Sequence, residues 1–511
     1  MKLKTIILLH LICTLCSANN KPNIIFILVD DMGWSDIGCY GGEVKTPNLD
    51  KLADNGLRLT QMHNTSKCFP SRACLRTGVY AQQCGMNKGF KKITNAVTLG
   101  EVLKKAGYRT LASGKHHSNE SLYDRGFDRY FGLRDGACNF FNPGLQRAGE
   151  AQPAQKKYGK RVWVDDKKVM TPFTPQNKDF YTTDAFTDKA IEYLDEYKDE
   201  EKPFFLYLSY NAPHDPLQAW PEDIKKYKET YKVGYEAIRE QRIKKMKSLG
   251  LIAKDATLAP AEHQAWSSLN PAQQETEALK MAIYAAMIDR VDQNIGRLLT
   301  KLEALGKREN TLIMFASDNG SSAENAEKAV KNNSGKLGSM AYWASLGSNW
   351  ANISNTPYRK AKNDSHEGGI CTPFIANWPG VIASQKRSTY SSHFIDIMST
   401  LVDITGAEYP SEHMNMKVTP MQGVSLLPLF KGEVQPKRAK PLFWQWKKGR
   451  AVRLGDWKLI SMDHKTWQLY DMASDAFESK NLASQYPEKV AYLKQAYQNW
   501  SESNQISKRK K

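Results

Sequence analysis

The residues with the clearest chemical potential lie between positions 68 and 78, which read C-F-P-S-R-A-C-L-R-T-G. Pro70 is followed by helix-compatible residues, so the pattern predicts a helix that starts at this proline. The amino end of such a helix offers backbone N–H groups and the positive end of the helix dipole to an anion. The segment therefore predicts an anion site beside Cys68, and an ordinary helix start with a buried cysteine is the alternative.

Polar residues follow three short apolar runs elsewhere in the chain. Residues 23–29, 311–317 and 203–209 are typical of buried central strands. The polar residues after these runs are Asp30, Asp31, Asp318, Asn319 and His214. Ligands of an α/β sheet bind outside the carboxyl ends of its strands, and these clusters lie there. Taken alone, each polar pair is more typical of a turn or a helix cap.

The segment that begins at Cys68 resembles the sulfatase signature C-x-P-S-R-x-x-x-x-T-G at every fixed position. The resemblance covers residues 21–503, and the runs W-A-N-I-S-N-T-P at 350–357 and Y-A-A-M at 284–287 make it closest to the arylsulfatase branch. It implies that a formylglycine-generating maturation enzyme oxidises Cys68 to formylglycine, whose hydrated aldehyde is the nucleophile. It also implies an α/β fold of the alkaline-phosphatase and sulfatase type.

The same resemblance makes the polar pairs metal ligands. The residues that match the family's metal site are Asp30, Asp31, Asp318 and Asn319, and Cys68 adds an oxygen once it is converted. Hard oxygen ligands suit Ca2+ or Mg2+. Three carboxylates and one amide favour Ca2+, and Mg2+ stays open because the sequence does not report cavity size. The cation would neutralise charge on a sulfate oxygen and on the attacking hydroxyl.

The run G-K-H-H at 114–117 resembles the family motif G-K-W-H, with His116 in place of the aromatic residue. The resemblance implies that Lys115 contacts formylglycine and sulfate and that His117 takes a proton from the aldehyde hydrate. Two exposed loop histidines are the alternative, which the preceding Gly-Lys and the chain order disfavour.

Three more residues take roles from the resemblance. The turn P-H-D-P at 213–216 matches the family's P-H-x-P turn, which places His214 at the leaving oxygen. Lys362, five residues before Glu367, matches the sulfate-binding lysine, and Arg72 of the signature holds sulfate oxygens. Lys115, His214 and Lys362 are thus the predicted substrate-binding residues.

Together these roles predict hydrolysis of sulfate esters through a formylglycine hydrate and a sulfated-enzyme hemiacetal. Export and basic charge favour a sulfated glycan over a small aryl ester. One alternative is a phosphonate or phosphate diester hydrolase of the same superfamily, against which the lysine and histidine set argues. The other is an inactive, exported glycan-binding protein, against which the intact ligand positions argue.

Helical patterns at 183–197, 279–305 and 394–405 alternate with the strands, which indicates an α/β sheet covered on both faces. We expect a large mixed sheet sandwiched by helices, and a smaller C-terminal antiparallel sheet plus helix. Residues 224–277 are charged and poorly patterned, as in surface helices or a long insertion. The predicted divisions are a signal peptide at 1–18, a catalytic α/β domain at 21–435, a small α+β domain at 436–503 and a basic tail at 504–511.

The first residues carry Lys2 and Lys4 ahead of about a dozen apolar positions, which predicts a cleavable export signal rather than a membrane anchor. The mature protein is then periplasmic or secreted, without stable membrane insertion. Signal removal lowers the formal charge from +18 to +16, which suits polyanionic partners. No nucleic-acid module is recognisable, so no nucleic-acid partner is expected.

Two further positions depart from the family pattern. Cys371 replaces a frequent arginine, and the W-Q-W-K run that contains Trp446 stands where arylsulfatase relatives often have a Glu-His pair. A packed core residue is the favoured interpretation of Trp446, and a platform for a sugar ring is the alternative. The mature cysteines match neither zinc spacing nor a disulfide scaffold.

Overall fold

The computed structural model describes residues 21–156, 160–330 and 332–504. The predicted signal at 1–18 and the tail after residue 504 lie outside the described residues. The six cysteines of the described part are all buried, and none forms a disulfide. No helix in the described ranges is long and apolar enough to cross a membrane.

The strands are β1 (Asn23–Asp30), β2 (Leu57–His63), β3 (Arg109–Gly114), β4 (Arg129–Leu133), β5 (Trp163–Asp165), β6 (Lys168–Met170), β7 (Phe204–Pro213), β8 (Thr311–Ser317), β9 (Cys371–Asn377), β10 (Lys386–Ser388), β11 (Ser392–His393), β12 (Glu412–His413), β13 (Met416–Lys417), β14 (Leu442–Trp446), β15 (Gly449–Leu454), β16 (Trp457–Ser461) and β17 (Gln468–Asp471). The α-helices are α1 (Pro47–Asp54), α2 (Cys68–Thr77), α3 (Leu99–Lys105), α4 (Thr182–Glu196), α5 (Pro221–Lys225), α6 (Tyr235–Ser248), α7 (Pro271–Ala304), α8 (Ser348–Ser354), α9 (Glu367–Ile370), α10 (Ile395–Thr405), α11 (Leu427–Phe430) and α12 (Pro487–Ser503).

Within the described residues, eleven strands form one mixed sheet. Ten of them follow the order β10-β2-β9-β8-β1-β7-β3-β4-β5-β6, and β11 also pairs with β2. The four central strands β8, β1, β7 and β3 run parallel, while β9 is antiparallel to β2 and β8. The carboxyl ends of the four parallel strands therefore meet at one edge of the sheet.

Strand β1 shows why the sheet needs cover on both faces. Its side chains alternate between two cores: Ile25 and Ile27 pack in one core, and Ile24 and Phe26 in the other. This follows from the period of two in a strand. Helices α1, α4 and α7 cover the first face, and α2, α3 and α10 cover the second. The predicted two-sided α/β sheet is confirmed.

Strands β14 to β17 form a separate antiparallel sheet, and helix α12 packs on β15 and β16. The apolar side chains of this sheet, such as Leu459 and Leu469, join the core under the second face of the main sheet. The predicted small C-terminal sheet plus helix is therefore present, and it shares a core with the larger sheet.

Helix α7 begins earlier than its apolar periodicity predicts. Asn270 caps the helix by accepting a hydrogen bond from the backbone N–H of Gln273, whose side chain bonds back to the Asn270 N–H, and Pro271 occupies the first helical position. This capping box and proline are a start signal that lies upstream of the apolar stripe. The charged stretch at 224–277 therefore contains α6 and the first turns of α7.

Candidate active site

The sheet edge brings the sequence-predicted residues into one cluster. Asp30 ends β1 and Asp31 follows it, Asp318 follows β8, His214 follows β7, and Lys115 follows β3. All five residues are buried, with at most 9% of their surface exposed. Parallel strands that end side by side are the reason why residues almost 290 positions apart, such as Asp31 and Asn319, touch.

Cys68 is the first residue of α2, two positions before the start that Pro70 predicts. Proline is tolerated throughout the first helical turn because the N–H groups there have no intrahelical partner. The helix ends at Gly78, where φ is 71°, and a Cβ at this position would lie 2.6 Å from Cβ of Met398. Only glycine suits both demands, so the signature glycine ends the helix against α10.

Arg72 lies one turn after Cys68 and is fully buried. Its Nε donates to Asp318 Oδ2 at 2.7 Å, and its Nη1 donates to the Lys115 carbonyl at 2.9 Å and to Ser209 Oγ at 2.5 Å. Its Nη2 lies 3.8 Å from Asp30 Oδ1 without a hydrogen bond. The guanidinium thus fixes the helix that carries Cys68 to the carboxyl ends of three strands.

The four predicted metal ligands converge, and two of their oxygens lack a donor. Asn319 Nδ2 donates to Asp31 Oδ1 at 2.5 Å, and the backbone N–H of Asp31 lies 3.4 Å from Asp318 Oδ1. Asp30 Oδ1 and Asn319 Oδ1 are buried and accept no hydrogen bond. Buried acceptors normally have partners, so this pair fits a cation. Ligand atoms of Asp30, Asp31 and His214 lie within 4.8 Å of one another.

Burial and mutual repulsion act on these carboxylates. Burial, followed by the charge of Asp30, raises the pKa of Asp318 to about 6, although Arg72 opposes the shift. Burial also acts to raise the pKa of Asp31, but His214 and Lys362 outweigh it and hold that pKa below its ordinary value. A divalent cation would relieve the repulsion among the three acids.

The G-K-H-H run turns sharply into the cluster. Gly114 has a φ of 115°, and a Cβ there would lie 1.9 Å from the Ser209 carbonyl oxygen. Lys115 Nζ contacts the Asp30 carboxylate. His117 has a φ of 58° and its Nδ1 has no hydrogen-bond partner. Burial, then the charges of Lys115 and Arg72, keep the pKa of His117 well below its usual range, so this imidazole is neutral and can accept a proton.

His214 and Lys362 meet Asp31 from the other side. Lys362 Nζ lies 2.7 Å from Asp31 Oδ2, and His214 Nε2 lies 3.4 Å from the same oxygen. Burial, the largest single influence, lowers both pKa values, but the surrounding acidic groups, of which Asp31 contributes most, together outweigh it and raise them. His214 therefore favours its protonated form while His117 favours the neutral one, which is the difference expected of an acid and base pair.

Three residues at the site were not identified from the sequence. Ser209 Oγ accepts a hydrogen bond from Arg72 Nη1, and Asp215 Oδ1 lies 2.6 Å from His214 Nδ1. Glu324 lies 3.8 Å from Lys362 Nζ. Asp215 lies inside the P-H-D-P turn, and Ser209 ends the apolar run before it. Their positions close to His214 in the sequence could therefore have identified both as site residues. Glu324 lies in a loop without a motif.

Of the three residues that depart from the family pattern, two are buried and one lies beside the site. His116 is buried and accepts from Arg76 Nη1 at 2.8 Å, so it packs behind the site. Cys371 is buried beneath the sheet edge, with Sγ 3.4 Å from the Thr60 carbonyl. Trp446 is only half-buried, and its ring meets Phe69 edge-on with centroids 5.2 Å apart. Phe69 neighbours Cys68, so Trp446 lies beside the site as well as against the margin of the core that the small sheet shares.

Comparison with known proteins agrees with this fold and gives the family. The family model described as Sulfatase matches residues 22–407, and the model described as N-sulphoglucosamine sulphohydrolase, C-terminal, matches residues 361–503. An arylsulfatase from Klebsiella aerogenes is 34% identical over 448 residues, which cover 82% of this chain and 94% of that protein. An N-acetylglucosamine-6-O-sulfatase from Bacteroides thetaiotaomicron is 27% identical over 540 residues, which cover 93% of this chain and 85% of that protein.

Among solved structures, Ps i-CgsB in complex with k-i-k-neocarrahexaose is similar with a TM-score of 0.69 and 24% identity, over 95% of this chain and 93% of that one. BT4656 in complex with its substrate D-glucosamine-2-N,6-O-disulfate gives a TM-score of 0.63 at 22% identity, over 96% and 99%. The fold and site define a hydrolase of sulfuric esters. The chain belongs to the sulfatase family.

Proposed function

We propose that this chain releases sulfate from a sulfated carbohydrate by means of a formylglycine made from Cys68. The observation that supports this most directly is the meeting of two lysines and two histidines at the amino end of the helix that starts with Cys68. Lys115 and Lys362 supply fixed positive charge for an anionic ester. His117 and His214 supply a neutral and a protonated imidazole.

The first half of the reaction transfers the sulfuryl group to the protein. One hydroxyl of hydrated formylglycine, ionised by proton loss to solvent, attacks sulfur in line. The new S–O bond forms while the S–O bond to the alcohol breaks. His214 gives its proton to the departing alcohol oxygen, and Asp215 at Nδ1 holds the ring in place.

The second half regenerates the aldehyde. His117 removes the proton from the remaining hydroxyl, the C–O bond to sulfate breaks, and the carbonyl forms. Water then adds to the aldehyde and restores the hydrate, so no water attacks sulfur. The hydrophobic packing of His117 between Phe69 and Phe90 keeps its imidazole neutral for this step.

A divalent cation, Ca2+ rather than Mg2+, fits the oxygens of Asp30, Asp31, Asp318 and Asn319, with formylglycine as a further ligand. When bound, it neutralises negative charge on the sulfate and on the ionised hydroxyl. The two acceptors without donors, on Asp30 and Asn319, support this assignment.

A carbohydrate substrate is supported by the relatives and by charge. One relative is named for N-acetylglucosamine-6-O-sulfate chemistry, and two similar structures hold k-i-k-neocarrahexaose and D-glucosamine-2-N,6-O-disulfate. The chain carries a formal charge of +18, which favours polyanionic ligands. Export to the periplasm or medium is supported by the leader pattern at 1–18, and conversion of Cys68 requires a maturation enzyme.

Mass spectrometry of the peptide that contains Cys68, on protein from its native host, tests the nucleophile. We expect an aldehyde or its hydrate at this position and sulfate release from members of a panel of sulfated sugars. Cys68→Ala should fold and release no sulfate, while Cys84→Ala, at a buried cysteine of the second core whose Sγ lies 3.8 Å from the Ala81 carbonyl, should stay active. Normal turnover by Cys68→Ala would refute the proposal.

A further inference from the structure

Four side chains form a connected rim at the mouth of the active site. Trp446 Nε1 donates to Asn363 Oδ1 at 2.8 Å, and Asn363 Nδ2 donates to Glu324 Oε1 at 3.1 Å. Lys67 Nζ donates to the same Glu324 oxygen at 3.4 Å. These residues, Lys67, Glu324, Asn363 and Trp446, are called the rim below. They come from four separate segments of the chain.

The rim residues are neighbours, in sequence or in space, of the residues proposed to react. Lys67 precedes Cys68 and Asn363 follows Lys362, while the ring of Trp446 packs on Phe69. Asn363 has a φ of 76°, and its backbone N–H donates to the Ser66 carbonyl at 2.8 Å. A non-glycine residue held at positive φ at a site is a sign that position matters there.

The rim offers two kinds of contact to a leaving group. Trp446 is half-buried, and the face of an aromatic ring packs well on the apolar face of a pyranose. The Glu324 side chain is 45% exposed, and its carboxylate accepts hydrogen bonds from hydroxyl groups.

Glu324 also brings a negative charge to the entrance of the site, beside Lys67 and Lys362. Its Oε2 lies 3.8 Å from Lys362 Nζ, the lysine proposed to hold the scissile sulfate. A second sulfate or carboxylate on the carbon next to the reacting ester would come close to this carboxylate. Like charges placed together disfavour a ligand, and this is a common source of specificity.

We propose that the rim is the subsite for the leaving sugar and that Glu324 selects against substrates with a second anion beside the scissile sulfate. This inference rests on the proposed sulfatase reaction and concerns its substrate class. The preferred substrate is a pyranose that lies on Trp446, donates a neighbouring hydroxyl to Glu324 and carries no vicinal sulfate.

The charge of Glu324 is tested with matched probes, methyl pyranoside monosulfates and the vicinal disulfates made from them. We expect wild-type protein to prefer the monosulfate in kcat/KM, and Glu324→Gln to reduce that preference by about tenfold. Glu408→Gln removes the carboxylate of an exposed ion pair with Lys105 and should leave the preference unchanged. An equal change of kcat/KM for both probes in Glu324→Gln would overturn the selective role.

The aromatic contact is tested by the KM for the monosulfates. Trp446→Ala should raise it by about three- to tenfold and leave the inhibition constant of inorganic sulfate unchanged, and Trp446→Phe should recover most of the loss. Trp457→Ala, on the same small sheet against Tyr486, is the control. An unchanged KM in Trp446→Ala, or equal weakening of inorganic sulfate, would overturn the subsite.

Calorimetric binding of the same probes to Cys68→Ala protein separates this inference from the proposed reaction. Absence of sulfate release from every probe by wild-type protein would refute the reaction. The binding ratio of monosulfate to disulfate, with and without Glu324→Gln, tests the rim in either case, and a ratio that the substitution does not change would overturn the inference.

Discussion

A buried ion cluster joins the two sheets and gives a stability prediction for Lys458→Met. Lys458 Nζ lies 2.5 Å from Glu367 Oε1 and 2.8 Å from Glu478 Oε1, and all three side chains are at most 1% exposed. Glu367 Oε2 contacts His63 Nε2 at 3.0 Å. Methionine keeps the length of the lysine stem but removes the ammonium, so two buried carboxylates lose their shared cation.

The expected cost follows from this geometry. Removal of one partner from a buried ion pair lowers the free energy of unfolding by about 3–5 kcal/mol, because an uncompensated charge remains. In the wild-type protein burial acts to raise the pKa of Glu367, but Lys458 and His63 outweigh it and hold the pKa below its ordinary 4.5. That stabilisation is present above pH 4.5 and is lost as the pH falls through the lower folded-state value.

In Lys458→Met the shift of the Glu367 pKa reverses its direction. Burial then raises the pKa of Glu367 above its ordinary value, so the folded variant holds a proton at mildly acidic pH that the unfolded chain releases. The variant therefore loses stability as the pH rises through this window. The difference in free energy of unfolding between wild type and variant should therefore be larger near about pH 7.5 than near about pH 4.5.

Equilibrium urea unfolding, followed by tryptophan fluorescence at both pH values, measures this difference. The urea concentration at the unfolding midpoint should be lower in Lys458→Met than in wild type, while the dependence of the free energy of unfolding on urea concentration should stay the same. Lys437→Met removes an exposed partner of Asp456 and should have little effect. Glu478→Gln should offset part of the loss in a double variant. A wild-type midpoint for Lys458→Met at neutral pH, or a loss independent of pH, would refute this reasoning.

Two further predictions concern the reaction. His117→Ala should accumulate protein that carries one sulfate on the residue-68 peptide, because the hemiacetal cannot lose its proton; mass spectrometry after substrate addition checks this, and an unmodified peptide with normal turnover would contradict it. Removal of divalent cations with a chelator should lower the thermal midpoint, and Ca2+ at about one hundred times its Kd should restore about 2.7 kcal/mol. Mg2+ should restore less than Ca2+, and a midpoint that does not respond to either cation would exclude a structural role for the metal.

Local pattern was enough for the parts of the site that lie close together in the chain. Pro70 and the residues after it predicted this helix within two positions of its observed start at Cys68, but they did not predict its end at Gly78 or the contacts of Arg72 with the sheet. Apolar runs that end in acids predicted the central parallel strands, because burial on both faces demands a continuous apolar run. The shared edge then followed from the rule that parallel strands present their carboxyl ends together.

Contacts between distant segments were decided only by the tertiary structure. Asn363 and Trp446 are 83 positions apart, and Lys67 and Glu324 are 257 apart, yet they form one rim. Their pairing depends on how loops from two sheets pack over a common core, and neither hydrophobic period nor motif spacing carries that information. The half-buried position of Trp446 has the same origin, since a tryptophan at a strand end packs inward or faces a cleft according to what the other sheet places beside it.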